Sequence, residues 1–136
     1  RLFGSEGSVD ALRAKTMNSV VLAYIGDAVY TLCVRTKLAL ASDDKAAELE
    51  RRVTEIVRAE SQAKLVASLL PFMTEEEQGV YRRARNARKT TRAKHATAGE
   101  YSMSTGFEAV IGYLYLTGNR ERLEALLRGA FPAGEL

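Results

Sequence analysis

The stretch VVLAYIGDAVYTLCV, residues 20–34, decides how this chain folds, because it is almost wholly apolar. Its apolar spacing at i, i+1, i+4 and i+5 predicts a buried helical face. The residues on that face are Val20, Val21, Tyr24, Ile25, Ala28, Val29, Leu32 and Cys33. Leu22, Gly26 and Tyr30 keep the opposite side apolar too, and a helix that is apolar all round is typical of a protein's centre. We therefore predict that this segment is the central core helix.

Asp27 interrupts this helix and is the only carboxylate or basic residue between Lys15 and Arg35. A carboxylate buried there without a partner costs several kcal/mol, so it must be paired, protonated or bound to a metal. Gly26 destabilises a helix by about 1 kcal/mol relative to alanine, but it lets another backbone or a ligand come close. Periodicity alone leaves a structural ion pair and a functional carboxylate both open.

Glu108 repeats this pattern, as the only charged residue in YSMSTGFEAVIGYLYLTGN, residues 101–119. Thr105 and Glu108 fit the T-x-x-E capping box, in which the glutamate reaches back to the start of its own helix. Alternatively the two lone carboxylates meet, and a cation must then lie between them. Mg²⁺ suits a site with few carboxylates plus water and substrate phosphate, where it activates water and stabilises a displaced phosphate oxygen. Asp27 and Glu108 are thus the candidate metal ligands and catalytic residues.

Helix formers dominate the rest of the sequence, which has only two prolines and no run of alternating apolar residues. A long helical pattern follows residue 42, where Ser42 or Asp43 can cap it, and it can break near Arg58. Thr74 and Glu77 form a capping box that starts another helix. Residues 88–103 lack periodicity and are predicted to be a loop, and residues 119–131 form a short amphipathic helix. We predict one all-α domain, residues 1–136, with six or seven helices.

Composition and missing motifs exclude several classes of protein. A hydrophobic fraction of 46% and a charged fraction of 27% are ordinary for a soluble globular protein, and residues 20–34 are too short to span a bilayer. The single cysteine, Cys33, excludes an internal disulfide and a cysteine-rich zinc site, and it fits a reducing cytoplasm. The sequence has no P-loop, G-x-G-x-x-G or HExxH motif, which argues against nucleotide-binding loops and zinc hydrolases.

Positive charge is concentrated between Gln78 and Gly99, where there is no acidic residue. The seven basic residues of this segment are Arg82, Arg83, Arg85, Arg88, Lys89, Arg92 and Lys94. A net charge of +3 is too small to indicate nucleic-acid binding by itself, so this uneven distribution is the relevant observation. A solvated helix end rich in cations is the structural alternative. An acid-free basic run of this length favours binding to a polyanion, because arginines make bidentate phosphate contacts.

Three segments resemble Mini-ribonuclease III: LAYIGDAVY at residues 22–30, RRARNARK at residues 82–89 and STGFEAVIGYLYLTGNRERL at residues 104–123. That family is a compact branch of the ribonuclease III endonucleases, with a catalytic domain and no double-stranded-RNA-binding domain. The resemblance implies an all-α cytoplasmic homodimer that cleaves double-stranded RNA with Mg²⁺, for which Mn²⁺ can substitute. It also implies maturation of large-subunit (23S) ribosomal RNA, with 5′-phosphate and 3′-hydroxyl ends.

By position in these motifs, Asp27 and Glu108 take the metal-binding and catalytic roles. The residues implied to bind RNA are Arg82, Arg83, Arg85, Asn86, Arg88 and Lys89. The Mini branch usually has a glycine where Ala84 stands. The larger ribonuclease III family has further acidic residues at the positions of Val20, Ala23 and Thr105, which are all neutral in this chain. Glu48 of this chain is a possible substitute for these carboxylates in the outer shell of the metal.

Two other interpretations stay open from the sequence. The first is a non-catalytic RNA-binding or ribosome-associated helical module, which would keep the basic segment without needing both carboxylates. The second is a helical interaction protein in which Asp27 belongs to a structural ion pair and Glu108 caps a helix.

Overall fold

The computed structural model of the chain describes residues 7–87 and 96–130, and all regular structure in these residues is helical. The helices are α1 Ala11–Thr16, α2 Ser19–Ala41, α3 Ala46–Val57, α4 Ala59–Leu69, α5 Glu75–Ala87, α6 Ala98–Leu116 and α7 Arg120–Leu127. Short 3₁₀ turns follow α4 at Leu70–Phe72 and α7 at Arg128–Ala130. The prediction of an all-α fold with six or seven helices is confirmed within the described residues.

Helix α6 begins with a reciprocal capping box at Thr97 and Glu100. The Glu100 N–H donates to Thr97 Oγ1 over 3.0 Å, and the Thr97 N–H donates to Glu100 Oε1 over 2.9 Å. These bonds satisfy backbone donors that a helix start leaves without partners. The predicted loop is therefore wrong for residues 98–103, which are helical, while residues 88–95 of that loop lie outside the described residues. Glu108 is in the middle of α6, so its interpretation as a helix cap is also wrong.

The central helix of the fold is α6, whereas the sequence pattern favoured α2. Helices α2, α4, α5 and α7 all contact α6. Its fully buried residues include Phe107, Val110 and Ile111, and Tyr30 of α2 meets the Phe107 ring edge-on with the ring centroids 5.3 Å apart. An apolar helix enclosed on several sides by other helices gains hydrophobic stabilisation over most of its surface. The core of the protein is thus built around α6.

The fully buried face of α2 lies opposite the one predicted, although Ile25, Val29 and Cys33 of the predicted face still pack partly against the core. Its buried residues lie in an i, i+4 row: Leu22, Gly26, Tyr30, Val34 and Leu38, with Ala23 beside them. Three apolar residues of the predicted inward face are instead exposed, with Val21 at 45%, Tyr24 at 79% and Leu32 at 67%. Periodicity identified both apolar faces, but only tertiary contacts decide which of them packs within the chain.

Two glycines let α2 and α6 cross with their backbones in contact. A Cβ atom on Gly26 would lie 1.7 Å from the Glu108 carbonyl oxygen, and one on Gly112 would lie 2.1 Å from the Leu22 carbonyl oxygen. Neither position accepts a larger residue without separating the helices. The expected close approach of a backbone at Gly26 is therefore present. Because Asp27 follows Gly26, this crossing brings Asp27 to the level of Glu108.

The remaining helix boundaries agree partly with the predictions. The break at Arg58 is confirmed, since its ψ of 154° separates α3 from α4. The Thr74–Glu77 capping box at the start of α5 is also confirmed. The predicted cap at Ser42 or Asp43 is wrong, because α3 begins after Lys45 and makes no side-chain cap bond. Ser42 instead ends α2 by donating from Oγ to the Leu38 carbonyl.

Helix α2 is also longer than the apolar stretch that predicts it. Its 23 residues are long and apolar enough to cross a membrane by length and composition alone. The buried row along α2 packs against α6, which is the arrangement of a core helix. Leu126 and Leu127 of α7 are buried and Leu123 packs against the core, which confirms the amphipathic helix predicted within residues 119–131.

Candidate active site

Asp27 and Glu108 line the same cavity, a cleft of about 380 Å³ between α2, α4 and α6. Asp27 is exposed on α2, and Glu108 is half-buried on α6. The prediction that the chain buries Asp27 is therefore wrong, because the buried face of α2 is the one that carries Gly26. Two carboxylates that open into one cleft are accessible to a ligand from solvent.

Helix α4 supplies an amide to this cavity through Gln62, which is only 2% exposed. Its Nε2 donates to Glu108 Oε2 over 3.2 Å and to the Val57 carbonyl oxygen over 2.6 Å. The Gln62 Oε1 atom is buried and has no hydrogen-bond partner among the described residues. The site thus contains the carboxylates of α2 and α6 and an amide from α4, and this amide binds Glu108.

A buried phenol lies near the Glu108 end of the site. Burial raises the pKa of Tyr30, and the neighbouring Cys33 and Glu108 raise it further. The Tyr30 hydroxyl therefore stays protonated across the physiological pH range. Tyr30 supports the α2–α6 crossing as an uncharged aromatic residue.

The C-terminal end of α5 carries the described part of the basic segment. Arg82, Arg83, Arg85 and Asn86 are all exposed there. The Arg85 guanidinium lies 5.6 Å from the centre of the Tyr81 ring, a cation–π arrangement. The Arg83 Nη2 group donates to the Lys15 carbonyl oxygen over 3.3 Å. Arg88 and Lys89 lie outside the described residues, and the RNA-binding role of the whole set stays a prediction.

Comparison with known proteins identifies the family. The ribonuclease III domain profile matches residues 20–119. A Mini-ribonuclease 3 from Streptococcus pneumoniae is 45% identical over 113 residues, which are 82% of this chain and 88% of that protein. A Mini-ribonuclease 3 from Symbiobacterium thermophilum is 44% identical over 115 residues, 85% of this chain and 88% of that protein. The chain belongs to the Mini-ribonuclease 3 family.

A solved structure gives the same result for the fold. The crystal structure of a Fusobacterium nucleatum protein superposes with a TM-score of 0.79 at 26% identity, covering 88% of this chain and 94% of that one. As a member of the Mini-ribonuclease 3 family, the chain is an endoribonuclease and RNA is its substrate. The resemblance drawn from the three sequence segments is confirmed.

The donors in the cavity fit a hard divalent cation better than zinc. Within residues 7–87 and 96–130 no group of three or more His, Cys, Asp or Glu side chains could hold a metal. Structural and catalytic zinc sites need three or four such ligands, whereas Mg²⁺ is commonly held by one or two carboxylates, water and substrate phosphate. Asp27 and Glu108 match the second pattern in number, chemistry and access to solvent.

Three positions that are acidic in the larger ribonuclease III family carry no charge in this chain. Val20 and Ala23 line the cavity, so Asp27 and Glu108 are its carboxylates among the described residues. Thr105 is buried, and its hydroxyl donates to the Tyr101 carbonyl oxygen. Glu48 is not among the residues that line the cavity, and its carboxylate pairs with Arg51.

Sequence reasoning missed two residues of the cavity, Gln62 and Arg58. Arg58 was identified only as a helix break, yet its side chain borders the cavity and is exposed there. Gln62 occupies an ordinary position in an amphipathic helix, and no local pattern distinguishes it. Ala84 stands where the Mini branch usually has a glycine, and it is a fully buried residue of α5.

Proposed function

We propose that this ribonuclease cleaves double-stranded RNA in a Mg²⁺-dependent reaction, with Asp27 and Glu108 as the metal ligands and catalytic residues. The observation that supports the proposal is their common cavity: two carboxylates from crossing helices open into one cleft of about 380 Å³. Mn²⁺ has the same preference for oxygen ligands and is expected to substitute.

The residues of the cavity have separate tasks in this proposal. Asp27 and Glu108 provide two negative oxygen ligands on a backbone crossing fixed by Gly26 and Gly112. Mg²⁺ held by these two carboxylates would supply an activated water and would neutralise charge on the displaced phosphate oxygen. The exposed Arg58 borders the cavity and pairs with Glu60 over 3.8 Å, and in this proposal its guanidinium contacts a backbone phosphate. Cleavage then leaves a 5′-phosphate and a 3′-hydroxyl.

We infer the substrate from the exposed cations of α5. Arg82, Arg83, Arg85 and Asn86 suit the phosphate backbone, and duplex RNA is recognised mainly by shape and backbone contacts. The family is bacterial in the relatives described above, and we propose that the chain matures 23S ribosomal RNA precursors in the cytoplasm.

We further propose a homodimer formed through the exposed apolar stripe of α2. Val21, Tyr24 and Leu32 lie on one side of the helix and would be covered by a second copy. The stripe borders the cavity at Tyr24, so the dimer would bring two cavities together, one for each RNA strand. Three large apolar side chains exposed on one helix are typical of an interface.

The test of the proposed function is incubation of a labelled RNA duplex with the wild type and with Glu108→Gln, with and without Mg²⁺. Internal cuts that require Mg²⁺ and disappear in Glu108→Gln support the proposal. Binding without cleavage on several duplexes, also with Mn²⁺, would leave a non-catalytic RNA-binding module. Ser68→Ala, an exposed change on the outer side of α4, controls for nonspecific effects of substitution.

The RNA-binding surface is tested by Arg82→Ala with Arg85→Ala. We expect weaker duplex binding and a shallower salt dependence, with the slope reduced by about one for each phosphate that the variant no longer neutralises. Arg51→Ala with Lys64→Ala removes the same charge from exposed positions on α3 and α4 and is the matched control. Equal weakening in the two double variants would mean that net charge alone matters.

The dimer is tested by Leu32→Glu in sedimentation velocity at micromolar concentration. A charge on the stripe should convert the dimer to a monomer. Leu12→Glu places the same charge at an exposed leucine on α1 and should leave the dimer intact. A wild-type monomer at these concentrations would contradict the paired-site arrangement.

A further inference from the structure

Gln62 has an orientation that its neighbours determine. Its amide lies between the Val57 carbonyl oxygen and Glu108 Oε2, at 2.6 Å and 3.2 Å from Nε2. A carbonyl and an ionised carboxylate only accept hydrogen bonds, so the nitrogen must face both of them. The amide oxygen therefore faces away, where it is buried without a partner among the described residues.

The bond to Val57 has a structural explanation. Val57 is the last residue of α3, and carbonyls in the last turn of a helix have no partner within that helix. The Gln62 amide satisfies this carbonyl from the first turns of α4. Ser61 performs the same task for the end of α3, by donating from Oγ to the Glu55 carbonyl oxygen over 2.6 Å.

The bond to Glu108 does not have such an explanation. Glu108 is half-buried at an open cavity, where water can solvate its carboxylate. The amide that holds it is 2% exposed, and its two acceptors fix the direction of its nitrogen. A buried amide whose second hydrogen bond is directed at a carboxylate of the candidate site indicates a role in that site.

We propose that Gln62 is a positioning residue for the divalent cation: it holds Glu108 through Oε2 and fixes the orientation in which that carboxylate meets the ion. The inference rests on the proposed function, in which Glu108 is a metal ligand. A carboxylate already held in one orientation loses less rotational freedom when it binds the ion. Hydrogen-bond partners of metal ligands typically change affinity by about 10- to 100-fold when removed.

The experiment measures Mn²⁺ binding to the RNA-free protein from the electron paramagnetic resonance signal of free Mn²⁺. Gln62→Leu keeps the approximate side-chain volume and removes the donor. We expect its dissociation constant for Mn²⁺ to rise by about 10- to 100-fold. Cleavage of duplex RNA by this variant should recover as the Mg²⁺ concentration is raised, because the ion itself still completes the site.

Ser61→Ala is the matched control, since it removes a hydrogen bond to the same end of α3 without touching Glu108. Its Mn²⁺ affinity should equal that of the wild type. If Gln62→Leu also binds Mn²⁺ like the wild type, Gln62 only caps α3 and the proposal is wrong. Should Gln62→Leu fail to fold by circular dichroism, Gln62→Met serves as the same test with an unbranched side chain.

Mn²⁺ binding by the wild type and by Glu108→Gln tests the metal site separately from the role of Gln62. Mn²⁺ binding by the wild type that disappears in Glu108→Gln supports the metal site, whatever Gln62 does. A wild type that neither binds Mn²⁺ nor cleaves duplex RNA overturns the metal site and the role of Gln62 together.

Discussion

Glu77 and Glu108 each follow a threonine by three residues, and their surroundings are opposite. Glu77 is 2% exposed, and its carboxylate accepts from Arg122 at 2.8 Å and 2.9 Å and from the Thr74 N–H at 3.0 Å. Glu108 opens into a solvent-accessible cavity beside Asp27. The fold uses both oxygens of Glu77 for its own stability, whereas the site carboxylates face a cleft that a ligand can enter. This difference separates a structural carboxylate from a candidate functional one.

The reason for the difference is the position of each glutamate in its helix. Glu77 lies in the first turn of α5, where unpaired backbone N–H groups need an acceptor. Helix α6 has already started at Thr97 with its own capping box, so Thr105 and Glu108 lie in its interior. The same spacing therefore caps a helix in one case and presents a carboxylate to a crossing helix in the other.

The comparison is tested most strongly at Asp27. Asp27→Asn should reduce the rate of RNA cleavage by about 10³-fold or more, because an amide is a much poorer ligand for Mg²⁺. Asp27 is exposed, so the free energy of unfolding should change by no more than about 0.5 kcal/mol. Single-turnover cleavage and urea unfolding measure the two quantities. Loss of stability in parallel with activity would make Asp27 a structural residue like Glu77.

The second prediction concerns the glycine that places the two carboxylates together. Gly26→Ala should lower the free energy of unfolding by about 3 kcal/mol, because its Cβ would overlap the Glu108 carbonyl. Gly79→Ala is the matched control in α5, where the nearest atom to a new Cβ is 3.7 Å away. That change should stabilise the helix by about 0.5–1 kcal/mol. Equal stability of the two variants in urea unfolding would show that α2 and α6 can separate at no cost in stability.

Glu77→Gln provides the reverse test of the comparison. It leaves Arg122 without its ionised partner and should destabilise the protein by about 2–3 kcal/mol, less than a fully buried pair because Arg122 is 28% exposed. Cleavage at a temperature where the variant is folded should equal that of the wild type. Thermal unfolding and single-turnover kinetics give both values. Selective loss of cleavage would place Glu77 in the functional site.

The smallest expected effect concerns the exposed neighbour of Glu77. Hydrogen bonds from Lys15 and then from Tyr113 lower the pKa of Glu76 below its ordinary 4.5. A lowered folded-state pKa gives stability that is complete above pH 4.5 and is lost as the pH falls through the folded value. The melting temperature of the wild type should therefore fall more steeply between about pH 5 and pH 3 than that of Glu76→Gln. Parallel curves would contradict this contribution.

The helical fold class, the break at Arg58 and the capping box at Thr74 were all predictable, because each depends on residues close together in the sequence. The motif segments also identified the family and indicated Asp27 and Glu108 as candidate site residues. The orientation of α2 was not predictable: both of its faces are apolar, and hydrophobic periodicity does not say which one meets the same chain. The loop predicted before residue 104 failed for a different reason, because the capping box of Thr97 and Glu100 starts α6 at Ala98. This T-x-x-E signal is local, but the apolar pattern of residues 98–103 is weak.

The sequence by itself indicated Asp27 and Glu108 as the candidate carboxylates and Gly26 as a point of close approach. Only the tertiary structure decided that Asp27 is exposed, that α6 is the central helix, and that Gln62 reaches Glu108 from 46 residues away. Local sequence specifies helices through backbone hydrogen bonds and caps over a few residues. A cavity formed by α2, α4 and α6 depends on contacts between distant segments, which no local pattern contains.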